Sequence, residues 1–144
     1  MLAREAMTRD VHTVSPEQSI QEAARLMLQI DAGALPVGEN DKLVGMVTDR
    51  DIAVRGVAGG KPPTTPVREI MSRELRYCFE NEDLNQVSRN MADQQVRRLP
   101  VVDRNKRLVG ILALADLATS AKSGQASAAL LGISQAGGSH NQNG

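Results

Sequence analysis

Apolar residues recur at helical spacing in two places. Ile20, Ala23, Ala24, Met27 and Leu28 form one face, with Gln21, Glu22, Arg25 and Gln29 turned away. That period predicts an amphipathic helix. Leu84, Val87, Ser88 and Met91 form a matching face later in the chain. Ser15-Pro16-Glu17-Gln18 reads as the first helix's start: a capping serine, a proline in the first turn, and a glutamine placed to close a capping box. Gly33 is expected to end that helix, and residues 4–7 read as a short helical turn. Residues 11–14, 35–37, 43–47 and 108–112 are short runs rich in β-branched and aliphatic residues, and 75–78 and 97–102 stand at the positions that match 11–14 and 35–37. They read as extended segments and strands. Polar turns at 39–42 and 103–107 read as hairpin connections.

These elements occur twice. Leu43-Val44-Gly45-Met46-Val47-Thr48-Asp49-Arg50-Asp51-Ile52 returns as Leu108-Val109-Gly110-Ile111-Leu112-Ala113-Leu114-Ala115-Asp116-Leu117. Each is a strand running into a helix. Ala3-Arg4-Glu5-Ala6-Met7-Thr8-Arg9 returns as Val67-Arg68-Glu69-Ile70-Met71-Ser72-Arg73. An internal repeat of this kind takes precedence over local readings. One copy spans residues 1–58 and the other 67–122, with a Gly- and Pro-rich linker at 59–66. A helix over 115–122 is expected to close the second copy. Residues 123–144 form a Gly-, Ser-, Ala-, Gln- and Asn-rich tail that is expected to be flexible. Neither copy can cover both faces of a small sheet alone. The expected fold class is therefore α/β (α+β-like): two pseudo-twofold repeats packed into one module, with both strand-to-helix junctions in a shared cleft.

Composition narrows the function. Seventeen basic residues balance seventeen acidic ones, so no long-range field points to nucleic acid or a membrane surface. Tyr77 and Phe79 are the only aromatic residues, which argues against base-stacking platforms. Cys78 is the only cysteine. It excludes an intrachain disulfide and reads either as a small core hydrophobe or as a redox-sensitive thiol. His12 and His140 are the only histidines and lie far apart, so no metal site is expected. No Ser-His-Asp or Cys-His pairing is evident, and enzymatic activity is not expected. With no long apolar span and no leader-like apolar run near Met1, a soluble cytoplasmic protein is expected.

Candidate chemistry sits at the first junction. Thr48 is placed to cap the following helix, and Asp51 to supply the reciprocal acid of a capping box. The same pair suits a ligand. Amides at a helix start attract an anion, a hydroxyl beside them can meet a phosphate, and a carboxylate one turn in can accept both hydroxyls of a ribose. The residues alone leave both readings open.

The paired junctions, the Leu35-Pro36-Val37 and Leu99-Pro100-Val101 segments and the two Ile/Ala-Met starts resemble a tandem pair of CBS domains, a Bateman module. The resemblance covers residues 3–121 and is similar to that of small stand-alone bacterial two-CBS proteins. It implies a disc-like module that pairs as a homodimer. It also implies a regulatory role: binding AMP, ADP or ATP in the cleft, or less commonly S-adenosylmethionine or NAD. The implied first site uses Thr13, Thr48, Asp51 and the backbone of Leu35, Pro36 and Val37. The second uses Asp116 and the backbone near Tyr77 and Leu99. Arg97 and Arg98 match positions where related modules place a basic residue near phosphates; which of the two turns inward is left open. Tyr77 suits either a base-flanking or a packing role. Ala113 replaces Thr48 in the second copy, which removes the hydroxyl and weakens the cap by about 1 kcal/mol. The alternative reading is a ligand-free structural module that acts on a protein effector.

Overall fold

The computed structural model describes residues 1–113. Asp116, His140, the helix expected over 115–122 and the tail at 123–144 lie outside the described residues. The fold is mixed α/β, with short helices and two small sheets. The chain divides into two compact units that do not follow the order of the repeats. Among the described residues, Met1–Val11 belongs with 76–113, while His12–Leu75 forms the other unit. Each unit thus takes its leading arm from the other copy of the repeat.

In the His12–Leu75 unit, strand β1 (Ala34–Glu39) pairs antiparallel with β2 (Lys42–Thr48). Asn40 and Asp41 connect them with φ of 54° and 65°, the left-handed two-residue turn that matches the twist of a hairpin. Helix α2 (Ile20–Ile30) lays Ile20, Ala23 and Met27 into the core. The arm at 67–71 adds Val67, Ile70 and Met71 to the same cluster, beside Leu35, Val37 and Val47.

Three details of α2 depart from the sequence reading. Its cap is Ser19, whose Oγ accepts the Glu22 N–H at 3.1 Å, so the helix starts later than Ser15 predicts. Residues 15–18 instead close a turn, in which the Ser15 N–H donates to Gln18 Oε1 at 2.8 Å. That turn is held by the incoming arm: the carbonyls of Pro16 and Gln18 accept the N–H groups of Arg68 at 2.9 Å and Val67 at 2.8 Å. At the other end Asp31, with φ of 55°, takes the left-handed cap expected of Gly33; aspartate tolerates this conformation because its short polar side chain bonds locally. Leu28, expected on the core face, is 83% exposed. The sheet covers only the side carrying Ile20, Ala23 and Met27, and Leu28 lies well around the helix from that stripe.

In the other unit, β3 (Cys78–Phe79) runs parallel to β4 (Arg98–Val102), which pairs antiparallel with β5 (Leu108–Ala113). Helix α3 (Leu84–Gln94), capped by Asp83, buries Leu84, Val87, Ser88 and Met91, the face the sequence predicts. The short helix α1 (Ala3–Ala6) supplies Ala3 and Ala6, and Met7 follows into the same core.

Both arms attach in the same way. Ser72 and Met46 exchange N–H···O bonds of 2.8 and 3.0 Å, and Thr8 and Ile111 exchange two of 2.9 Å. Gly45 and Gly110 stand next to these bridges. A Cβ on Gly45 would lie 2.7 Å from the Ser72 carbonyl oxygen. A Cβ on Gly110 would first meet the Met7 thioether, then the Thr8 carbonyl oxygen at 3.0 Å. Backbone cannot yield as a methionine side chain can. Gly45→Ala should therefore cost about 1–3 kcal/mol, and Gly110→Ala less, in urea denaturation; the reverse order would contradict this account.

Cys78 is 1% exposed. Burial, aided by the nearby charge of Glu82, pushes its thiol from 9.0 up to about 12. The folded thiol stays protonated where the unfolded one ionises, so its contribution to stability is intact below about pH 9 and is lost as pH rises from there toward 12. Ellman's reagent at pH 8 should label the native protein hardly at all within minutes and the urea-unfolded chain fully. Fast native labelling would show that the site opens.

Candidate functional site

Strand β2 ends at Thr48, opposite Ala34 in the hairpin register. A helical turn begins at once and continues as a π-helix over Asp51–Val57, a geometry that recurs at functional sites. Thr48 Oγ1 accepts the Asp51 N–H at 3.0 Å, and Asp51 Oδ2 accepts the Thr48 N–H at 2.9 Å. This is the reciprocal capping box that the spacing predicts. The cap uses one oxygen of each side chain but does not exhaust either group. The Thr48 hydroxyl keeps its hydrogen to donate, and the Asp51 carboxylate keeps Oδ1. The Asp51 side chain is 16% exposed.

Arg55 completes the surroundings of Asp51 and was not singled out from sequence. Its Nε lies 3.9 Å from Asp51 Oδ1, and its Nη1 donates to the Ile70 carbonyl at 3.3 Å. The arm at 67–71 therefore holds the guanidinium that faces the carboxylate. The spacing of Asp51 and Arg55 was visible, but the Ile70 contact needs the arm to be in place.

The other residues of the expected first site are arranged around β1. Leu35 and Val37 are 1% and 0% exposed, so only their backbone is available to a ligand. The Pro36 carbonyl accepts the Val14 N–H at 3.2 Å, and the Val14 carbonyl accepts the Gly38 N–H at 2.9 Å. Thr13 is exposed and packs beside Gly38. Gly38 pairs with Leu43, four residues along β1 from Ala34, which is about 13 Å of strand. The structure thus brings Thr48, Asp51 and Arg55 together and sets Thr13 toward the opposite end of the ladder.

In the other unit, Arg98 is half-buried and pairs across the ladder with Ala113, while Arg97 is exposed. Where the first copy sets Thr48 opposite Ala34, the second sets Ala113 opposite Arg98. Leu99 is buried. Tyr77 packs edge-on against Phe79, with ring centroids 5.6 Å apart and planes at 80°.

Among the described residues no group of three or more His, Cys, Asp or Glu side chains could hold a metal ion. No helix among them is long and apolar enough to cross a membrane.

Comparison with known proteins agrees with the repeat. The family model for the CBS domain matches residues 3–56 and again 67–122. The CBS domain-containing protein YhcV of Bacillus subtilis is 52% identical over 132 residues, covering 91% of this chain and 94% of its own. The crystal structure of Hypoxic Response Protein I, which has two coordinated zinc ions, matches at a TM-score of 0.76 and 37% identity over 85% of this chain and all of that one. The CBS domain pair of protein MJ0100, crystallised with 5-methylthioadenosine and S-adenosyl-L-methionine, matches at a TM-score of 0.71 and 29% identity over 83% of this chain and 94% of that one. With both copies matched in register and more than half of the chain covered, this protein belongs to the CBS domain family and carries the domain twice.

Proposed function

We propose that this CBS pair is a regulatory module that binds an adenine nucleotide or another adenosyl ligand at the Thr48–Asp51 junction, and that it is not an enzyme. The observation that carries the reading is the half of the capping box that the cap itself does not use, with Asp51 Oδ1 facing Arg55. Asp51 Oδ1 accepts the ribose hydroxyls, and the Thr48 hydroxyl donates to a phosphate oxygen beside the helix start. Arg55 adds positive charge next to that carboxylate. The adenosyl compounds held by the MJ0100 pair support the ligand class. AMP, ADP and ATP are the primary candidates, with S-adenosylmethionine or NAD behind them. The module acts in the cytoplasm. Binding becomes a signal only through different affinities for two shapes of the module, read by a protein effector or by a second copy.

The second copy contributes differently. With Ala113 in place of the hydroxyl, Arg98 across the ladder is the group that meets a phosphate, and Asp116 is the ribose acceptor. Tyr77 is already engaged with Phe79, which favours its packing role.

Titration calorimetry with AMP, ATP and S-adenosylmethionine tests the first site. At least one should bind the wild type, and Asp51→Ala should weaken it by about tenfold or more, the loss expected of a charged hydrogen-bond acceptor. Asp51→Ala also removes a cap, so its stability should fall by about 1 kcal/mol. Asp51→Asn, which keeps an acceptor, should recover more stability than affinity. Flat titrations with all three ligands would leave the ligand-free interaction module as the better reading.

The homodimer forms through α2 and the π-helix, which pack side by side. Leu28 on α2 and Val54 and Val57 on the π-helix are 83%, 48% and 70% exposed, the apolar side chains these two elements offer to a second copy. Light scattering after size exclusion should give a dimer for the wild type and a monomer for Leu28→Glu. An unchanged mass for the variant would remove this face from the interface.

A further inference from the structure

Arg4 and Arg68 are matched positions of the repeat, and their backbones do the same job. The Arg68 N–H donates to the Pro16 carbonyl and the Arg4 N–H to the Glu80 carbonyl, both at 2.9 Å. Their side chains differ. Arg68 is paired with Glu17. In the other unit Asn81 stands where Glu17 stands, and among the described residues Arg4 has no acidic partner within ion-pair distance. Arg4 instead lines an open surface cavity of about 240 Å³, together with Glu80, Asn81, Asp103, Arg104 and Asn105; Arg4, Asn81, Arg104 and Asn105 are exposed there.

The chemistry of that cavity is specific. Arg4 and Arg104 bring two guanidinium forks, and Asn81 and Asn105 bring amide donors. Arginine's planar fork matches phosphate oxygens bidentately. Of the two acids, Asp103 is committed to the hairpin turn, where its Oδ1 accepts the N–H groups of Asn105 and Arg107 at 2.8 and 2.9 Å. Glu80, half-buried, is the other acid of the lining. Pockets for drug-sized ligands run from roughly 300 to 1,000 Å³, so this one suits a fragment-sized molecule and not a whole nucleotide.

We infer that this cavity is a second ligand site, distinct from the Thr48–Asp51 junction, for a small hydroxyl-bearing phosphate monoester held by its phosphate between Arg4 and Arg104 and by its hydroxyls at Glu80. The loss of the Glu17 counterpart at Asn81 is what opens it. One copy of the repeat keeps its arginine neutralised, and the other leaves it free for an external anion.

Amide-proton NMR titration at constant ionic strength tests this with two probes, inorganic phosphate and glycerol 3-phosphate. Saturable shifts of the Asn81 and Asn105 amides are expected in the roughly millimolar range that a pair of exposed charged contacts supports, with glycerol 3-phosphate the tighter of the two. Asn81→Glu rebuilds the Arg68–Glu17 pair on Arg4 and should weaken both probes by about tenfold or more, the effect of losing one charged hydrogen bond, with no fall in melting temperature. Arg104→Gln should weaken both probes as well. Asp51→Ala should leave these shifts unchanged, which separates this site from the nucleotide reading. Shifts that do not saturate, or an Asn81→Glu protein that titrates like the wild type, would overturn the site; equal affinity for the two probes would overturn the role of Glu80.

Discussion

Each unit depends on a pair of reciprocal backbone hydrogen bonds that ties a borrowed arm to a strand carrying a glycine. Ser72 with Met46, and Thr8 with Ile111, are the two instances. The bonds form only because Gly45 and Gly110 let the arm's backbone come close. Once docked, each arm drives apolar side chains into a core it does not adjoin in sequence: Val67, Ile70 and Met71 in one unit, Ala3, Ala6 and Met7 in the other. Buried Val, Ile and Met side chains each stabilise by about 1.5–3 kcal/mol, and the alanines by less. The arms are therefore a substantial part of each core.

The candidate site inherits this arrangement. The Thr48–Asp51 box is local and would form at any helix start with that spacing. What surrounds it is not local. Arg55 is oriented by the Ile70 carbonyl, and Ile70 is part of the arm. The charge beside Asp51 is thus coupled to the docking of residues 67–71. The same coupling explains why α2 starts at Ser19: the turn at 15–18 spends its carbonyls on Val67 and Arg68.

The two copies have kept their frame and diverged in their polar groups. Thr48 opposite Ala34 becomes Ala113 opposite Arg98, so a hydroxyl is exchanged for a guanidinium across the same rung. Glu17 beside Arg68 becomes Asn81 near Arg4, so an internal ion pair is exchanged for an open cavity. Repetition preserves the backbone bonds, which do not depend on side-chain identity. Side chains at the surface are free to change because exposed ion pairs contribute little to stability.

The repeat, the strands, the helical face of α3, the Asn40-Asp41 hairpin and the Thr48–Asp51 box were all legible in the sequence. Each rests on contacts between near neighbours or on a period of two or 3.6 residues. The tertiary structure decided which unit each arm joins, where α2 begins and ends, that Leu28 faces outward, and which of Arg97 and Arg98 is half-buried. Those outcomes turn on carbonyls, glycine clearances and sheet coverage contributed by residues far away in the chain, and a one-dimensional pattern carries no record of which distant backbone will come within hydrogen-bond reach.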